Sequence, residues 1–233
     1  MKKNINFFSL IAAREGSKGL KNKNLIKING KSIISLAAEL SLKIKKIKHL
    51  IISSDSSKIL NLVLSDKKIF KIKRRKNLAL DKTPMLPVLR DALEQYEKKY
   101  KNKIDAIVIL DPTSPLRKKK DILKAIDLFQ KKKPDLLVSV HEAQHSPYFS
   151  MLEKNDSFYE LCKDKNLNPG SRQDVQKVFE INTIVWIYSR NAILREKKRI
   201  PRRTIIFKTP YNRSIDIDTN DDITKINYYL NQI

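Results

Sequence analysis

Residues 12–24, Ala-Ala-Arg-Glu-Gly-Ser-Lys-Gly-Leu-Lys-Asn-Lys-Asn, set two glycines and four cations directly behind the apolar run from Asn6 to Ile11. Arg14, Lys18, Lys21 and Lys23 can follow several phosphates at once. Gly16 and Gly19 are expected to take positive φ and bring backbone N–H groups close to an anion. A solvated turn does not need this density of glycine and cation, so the loop predicts polyphosphate binding. Near the other terminus Asp216 and Asp218 stand two apart. If the segment Ile215 to Asp218 is a short strand, both carboxylates point to one face. That arrangement suits Mg2+, which takes one or two carboxylates together with water and substrate phosphates. A cationic phosphate loop and a paired carboxylate in one fold are the two halves required for chemistry on a nucleoside triphosphate. Gly30-Lys31-Ser32 resembles the end of a Walker A loop, but the position five before Gly30 is Leu25 rather than glycine. It reads instead as a tight turn into a helix that begins near Ser32.

Strand-like and helix-like segments alternate over the first 140 residues, as they do in a mostly parallel sheet covered by helices. Such sheets place ligands at the carboxyl ends of their strands, where the basic loop falls. Ile33, Leu36, Ala37 and Leu40 recur at helical spacing, and Leu50-Ile51-Ile52 reads as a buried strand. Ser53-Ser54-Asp55 is expected to cap the next helix, through Ile59, Leu62 and Val63. A strand at Phe70 to Ile72 precedes a long helix opened by Pro84 and Pro87, with Leu89, Ala92, Leu93, Tyr96 and Tyr100 on one face. Ile104 to Leu110 is the central strand. It runs into the proline-braced turn Asp111-Pro112-Thr113-Ser114-Pro115-Leu116-Arg117, then a helix from about Lys119 to Lys131 and a strand at Leu136 to Val140. The segment 141–180 breaks the pattern, with Tyr148, Phe149, Met151, Phe158 and Tyr159 among turn residues, and reads as an inserted β-rich arm. Its aromatics suit either a dimer contact or a cover for the arm's own core. Ile181 to Tyr188 and Ile205-Ile206 return to the sheet, and Thr219 or Asn220 caps a terminal helix reaching Leu230.

The 233 residues suffice for one domain with an insertion. No apolar run is long enough to span a membrane, which predicts a cytoplasmic protein. Cys162 is the single cysteine, and His49, His141 and His145 lack zinc spacing. Lys plus Arg number 49 against 25 acidic residues, a net charge of +24. The lysines are spread through nearly every segment and lack a compact motif with interleaved aromatics, so a nucleic-acid partner is not expected. The excess does favour anionic substrates.

Several ordered motifs resemble those of the acylneuraminate cytidylyltransferases. They are the 12–24 loop, Ile52-Ser53-Ser54-Asp55-Ser56, Arg74 with Asn77-Leu78-Ala79-Leu80-Asp81, Pro112 to Arg117, Ser171-Arg172-Gln173-Asp174, and Ser214 to Thr219. The resemblance runs from about residue 5 to the end. It implies a Rossmann-like three-layer α/β sandwich whose inserted β-rich arm mediates homodimer formation. It also implies transfer of CMP from CTP to a nine-carbon 2-keto sugar acid, with release of pyrophosphate and with Mg2+ as cofactor. By position, Ala13, Arg14, Ser17, Lys18, Lys23 and Asn24 inherit contact with the triphosphate, Lys23 near the α-phosphate, and Arg74 inherits the cytidine pocket. Asp216 and Asp218 match the metal ligands. Asp111, Arg172, Gln173 and Trp186 are assigned to the sugar acid. Arg14, Lys23 and Asp218 are expected to act in catalysis, Asp218 taking the hydroxyl proton directly or through a metal-held hydroxide.

The chain departs from the common pattern at Asp111, often glutamine, Thr183, often glycine, Trp186, often tyrosine, and Phe149, where some members carry lysine. With Thr83-Pro84, Pro87-Val88, Arg90 and His145 to Phe149, it is more similar to the branch that activates bacterial sialic-acid relatives such as legionaminate. The alternatives are a 3-deoxy-manno-octulosonate cytidylyltransferase or another sugar nucleotidyltransferase of similar fold and, from a different class, a basic nucleic-acid-binding protein.

Overall fold

The run Phe7–Ala12 forms strand β1, buried at every position through Ile11, as a strand covered on both faces must be. The computed structural model describes residues 5–16, 20, 22–163 and 170–232, with the backbone alone at Arg172. After β1 come a small hairpin, β2 (Lys27–Ile28) and β3 (Lys31–Ser32), then helix α1 (Ile33–Leu42), β4 (Ile47–Ser54), α2 (Ser57–Asn61), β5 (Ile69–Lys73) and α3 (Met85–Tyr100). The chain continues through β6 (Ala106–Ile109), α4 (Lys119–Lys132), β7 (Leu136–Glu142), a second hairpin of β8 (Leu152–Asn155) and β9 (Phe158–Leu161), β10 (Phe179–Ser189), α5 (Arg190–Arg195), β11 (Thr204–Lys208) and α6 (Asn220–Leu230).

Seven strands form one sheet in the order β11-β7-β10-β6-β1-β4-β5. Its pairs are parallel except where β10 lies antiparallel between β6 and β7. Helices α1, α2, α4 and α6 pack one face through Ile34, Ile59, Ile122, Ile126 and Ile226. The other face is covered by α3 and α5 through Leu89, Leu93, Tyr96 and Ile193. The three-layer α/β sandwich is therefore as expected. Burying these Ile, Leu and aromatic side chains stabilises the fold by about 1.5–3 kcal/mol for each fully covered residue.

Local chemistry explains most boundaries. Ser32 caps α1 by accepting from the Ser35 N–H at 3.1 Å. Thr219 and Asp222 form a capping box at α6. Pro84 precedes α3 and Pro87 lies in its first turn, where the missing N–H costs nothing. Asn29 (φ 48°) and Gly30 (φ 78°) make the left-handed pair of a two-residue hairpin turn between β2 and β3. Gly30-Lys31 is thus a turn into α1, not a phosphate loop.

Other expectations fail for identifiable reasons. Ile215 to Asp218 is not a strand. It crosses the carboxyl end of the sheet, Ile217 donates its N–H to the Thr113 carbonyl at 2.9 Å, and the Ile217 side chain is fully buried. Asp55 does not cap α2, whose cap residue is Ser56; its Oδ1 accepts from the Glu15 N–H at 3.0 Å instead. Gly16 is not in the left-handed region, and the open space around it sets no steric demand for glycine. Gly19 lies outside the described residues. Strand β7 continues to Glu142 and β10 begins at Phe179, so the segment between these two sheet strands is 143–178. None of the described helices is long and apolar enough to cross a membrane.

Candidate active site

Strands β1, β4, β5 and β6 run parallel, so the chain leaves all four at the same end of the sheet. There Ala12, Arg14, Gly16, Lys23 and Asn24 face Arg74, Leu78, Leu80, Asp81, Asp111 and Thr113 across a crevice of 230 Å³. One side carries cations and amide groups, and Leu78, Leu80, Met85 and Val88 supply an apolar wall.

Each basic group is held by a particular partner. Arg14 forms an ion pair with Asp81. Its carbonyl accepts from Asn24 Nδ2 at 2.8 Å, which ties the start of the basic loop to its end. Lys23 opens a short 3-10 helix, Lys23–Leu25, and its Nζ lies 2.7 Å from Asp218 Oδ1. Arg74 leaves β5 with its guanidinium buried against β4. Its Nε donates to Ser53 Oγ at 3.0 Å and its Nη2 to the Ser53 carbonyl at 2.6 Å. Burial pulls the Arg74 pKa down, and Arg14 adds to that, while Asp55 and Asp91 oppose it.

The turn after β6 builds the second half of the site. Asp111 Oδ1 accepts from the Thr113 N–H at 3.2 Å and from its hydroxyl at 2.9 Å. The Ser114 and Thr183 hydroxyls both donate to Asp216 Oδ1. Burial pushes the Asp216 carboxyl up from the ordinary carboxylate value, the two hydroxyls and Arg117 pull it back, and Asp111 adds to the push. Asp216 and Asp218 therefore engage different partners, Asp216 inside the β6 turn and Asp218 on Lys23 at the protein surface. No group of three or more His, Cys, Asp or Glu side chains among the described residues forms a closed metal cage. Asp216 and Asp218 offer hard carboxylate oxygens, the donor type that Mg2+ takes, and all described hydrogen bonds to Asp216 fall on Oδ1.

Arg14, Lys23, Asn24, Arg74 and Asp111 thus line one crevice, Asp218 is bonded to its Lys23, and Asp216 is bonded to Ser114, next in the chain to Thr113 of its lining. Ala13 does not line it, since this buried residue spends its N–H on the Ser53 carbonyl at 3.1 Å. Trp186 lies in the core over α3 and α5, its indole N–H donating to the Asn182 carbonyl at 2.7 Å and Arg199 stacked 4.6 Å from its ring. Gln173 faces a separate 600 Å³ cavity of the arm, with Glu142, Gln144 and Lys177. Ser17, Lys18, Lys21 and the side chain of Arg172 lie outside the described residues. Sequence reasoning gave no role to Ser53, Asp81, Ser114, Thr183 or Arg117. They stood inside recognisable motifs or beside Asn182, but nothing in their types says which atom they hold.

A family model described as cytidylyltransferase matches residues 8–228. The chain is 32% identical to the post-translational flagellin modification protein B of Campylobacter coli, over 95% of this chain and 94% of that protein. It is also 32% identical to the CMP-N,N'-diacetyllegionaminic acid synthase of Campylobacter jejuni, over 94% of this chain and 93% of that one. Among solved structures, a CMP:2-keto-3-deoxy-manno-octonic acid synthetase complexed with CTP superposes with a TM-score of 0.65, covering 97% of this chain and 99% of that one at 14% identity, which speaks to the fold alone. With Lys23 of its basic loop paired to Asp218 beside the carboxyl ends of a Rossmann-like sheet, the chain belongs to the cytidylyltransferase family.

Proposed function

We propose that this chain transfers CMP from CTP to a nine-carbon 2-keto sugar acid of the sialic-acid type, with a legionaminate-like acid as first choice, releasing pyrophosphate. The observation that carries the reading is the 2.7 Å ion pair from Lys23 to Asp218, which brings the phosphate loop and the carboxyl-terminal aspartates to one place. The similarity to the legionaminic acid synthase supports the choice of sugar.

In this mechanism Leu78, Leu80, Met85 and Val88 receive the cytosine ring, with Arg74 at its edge. Arg14, Lys23 and Asn24, together with Ser17 and Lys18 of the same loop, hold the triphosphate. Asp216 and Asp218 would hold Mg2+, which would supply positive charge against the phosphates. The anomeric hydroxyl oxygen forms a bond to the α-phosphorus while the bond to the bridging oxygen of pyrophosphate breaks, and Asp218 accepts the hydroxyl proton. Holding two anions in line is the main task of these residues. Neutralisation by Lys23 and Arg14 and the fixed orientation lower a barrier that repulsion and lost freedom would otherwise raise. Asp111, which lines the crevice, accepts from hydroxyl or amide groups of the sugar, and Arg172 of the arm is assigned to the acid.

The arm supports a homodimer. A two-stranded ribbon is at best marginally stable alone, yet β8–β9 carries Leu152, Phe158 and Tyr159 at 63%, 80% and 67% exposure. A second copy of the chain covers them. We place the enzyme in the cytoplasm, where CTP is available.

Pyrophosphate release tests the whole reading. It is measured with CTP, Mg2+ and a panel of keto-sugar acids containing legionaminate, N-acetylneuraminate and 3-deoxy-manno-octulosonate. Turnover with the nine-carbon acids is expected; turnover with the octulosonate alone, or with none, overturns it.

A further inference from the structure

Arg117, at the end of the Pro112 to Arg117 turn, is as deeply enclosed as Arg74 of the crevice, each 7% exposed. Burying a charge costs several kcal/mol unless its surroundings compensate, yet its described hydrogen bonds all go to main-chain carbonyls. Nε donates to the Ser114 carbonyl at 2.9 Å, and Nη2 donates to the carbonyls of Asp111 and, at 3.3 Å, Thr183. Nη1 is buried without a partner among the described residues. Two of the three carbonyls belong to Ser114 and Thr183, the residues whose hydroxyls donate to Asp216 Oδ1. Ser114 lies on the β6 turn and Thr183 on β10, so the guanidinium ties together two segments 66 to 69 positions apart in sequence.

We propose that Arg117 is a positioning residue for the metal-binding step: by clamping the Ser114 and Thr183 main chains it aims both hydroxyls at one oxygen of Asp216 and keeps the other oxygen for Mg2+. The inference rests on the reading of Asp216 as a Mg2+ ligand. Its charge assists, because the Asp111 and Asp216 carboxylates both act on the guanidinium electrostatically. Burial pulls the Arg117 pKa down to about 10 and the two carboxylates oppose that pull, so the side chain stays a cation throughout the neutral range. A planar fork is required for the clamp. Lysine, a point charge on a flexible stem, keeps the charge but has its donors on one nitrogen and lacks the planar spread of Nε and Nη2.

The experiment titrates Mg2+ into the protein with CTP and follows CTP binding by calorimetry, with a parallel series in EDTA. Arg117→Lys is expected to raise the Mg2+ concentration needed for tight CTP binding by about 10–100-fold, the usual cost of losing a group that orients a metal ligand. It should leave CTP affinity in EDTA unchanged. Ser114→Ala and Thr183→Val should shift the Mg2+ response the same way, and they carry the test if Arg117→Lys does not fold. A folded Arg117→Lys that loses CTP affinity equally with and without Mg2+, or that keeps the normal Mg2+ response, overturns the proposal. So do Ser114→Ala and Thr183→Val proteins with an unchanged response. Asp216→Asn separates the two levels of inference: if it keeps the normal Mg2+ response, Asp216 is not a ligand and the underlying reading is wrong; if it loses the response while Arg117→Lys keeps it, only the positioning role fails.

Discussion

Lys23 Nζ and Asp218 Oδ1 are 2.7 Å apart although 195 positions separate them in the chain. The lysine side chain is 18% exposed and the aspartate 72%. A bond so open to water adds little to stability, so the pair is better understood through ligand binding than through folding. Asp218→Asn is expected to lower kcat by about 10²–10⁴-fold if the carboxylate accepts the proton, with little change in melting temperature. Lys23→Met should weaken CTP binding measured by calorimetry. Near-normal turnover of Asp218→Asn with Mg2+ would end its assignment as base.

Arg74 tests the nucleotide end of the crevice. Its two bonds to Ser53 are charge-assisted, and losing them in Arg74→Met should cost about 1.5–3 kcal/mol in chemical denaturation. If the same side chain meets cytidine, the KM for CTP rises about tenfold or more, equivalent to roughly 1.4 kcal/mol, while the KM for the sugar acid stays constant. A stability loss with unaltered CTP kinetics would confine Arg74 to the fold.

The β8–β9 hairpin predicts the oligomeric state. Phe158→Asp combined with Tyr159→Asp is expected to turn a particle of twice the 27.1 kDa chain mass into one of single mass, as read by light scattering after size exclusion. An unsubstituted chain that runs as a monomer at high micromolar concentration refutes the dimer.

His49 predicts the pH dependence of stability. Its ring stands edge-on to Tyr96 at 5.5 Å and to Tyr100 at 5.7 Å. Burial holds its pKa below the ordinary 6.5, and Lys68 and Lys48 add to this. The unfolded chain therefore binds a proton more readily than the folded one. The stabilisation is complete above pH 6.5 and is lost as pH falls toward the folded value. Replacing His49 by Phe should flatten the decline in melting temperature between about pH 7 and 5.5. An identical decline in the variant would exclude His49 as its source.

Left-handed residues offer a stabilising change. Lys101 and Lys133, with φ of 53° and 47°, close α3 and α4 where glycine is the usual choice. Lys133→Gly relieves the Cβ clash but loosens the unfolded chain, for a net gain of about 0.5–1 kcal/mol. Thermal unfolding checks it, and a lower melting temperature would refute it.

What the sequence alone determined was the order of elements and the two poles of chemistry. Alternating apolar runs marked the parallel strands because a strand covered on both faces must be apolar throughout, as Ala106–Ile109 is. The density of glycine and cation marked the loop of Arg14 and Lys23, and the motif order marked Asp216 and Asp218. Local pattern misled where a partner distant in sequence decided the outcome. Asp55 was drawn from its helix to Glu15, and Ile215 to Asp218 was bent over the sheet by Thr113. Trp186 was packed away in the core although Thr183, three positions earlier on the same strand, bonds Asp216. Only the tertiary structure could reveal that Arg117, Ser114 and Thr183 converge on Asp216, because hydrogen bonds between segments depend on where chain crossings bring single atoms. That convergence is three-dimensional, and no spacing within either segment encodes it.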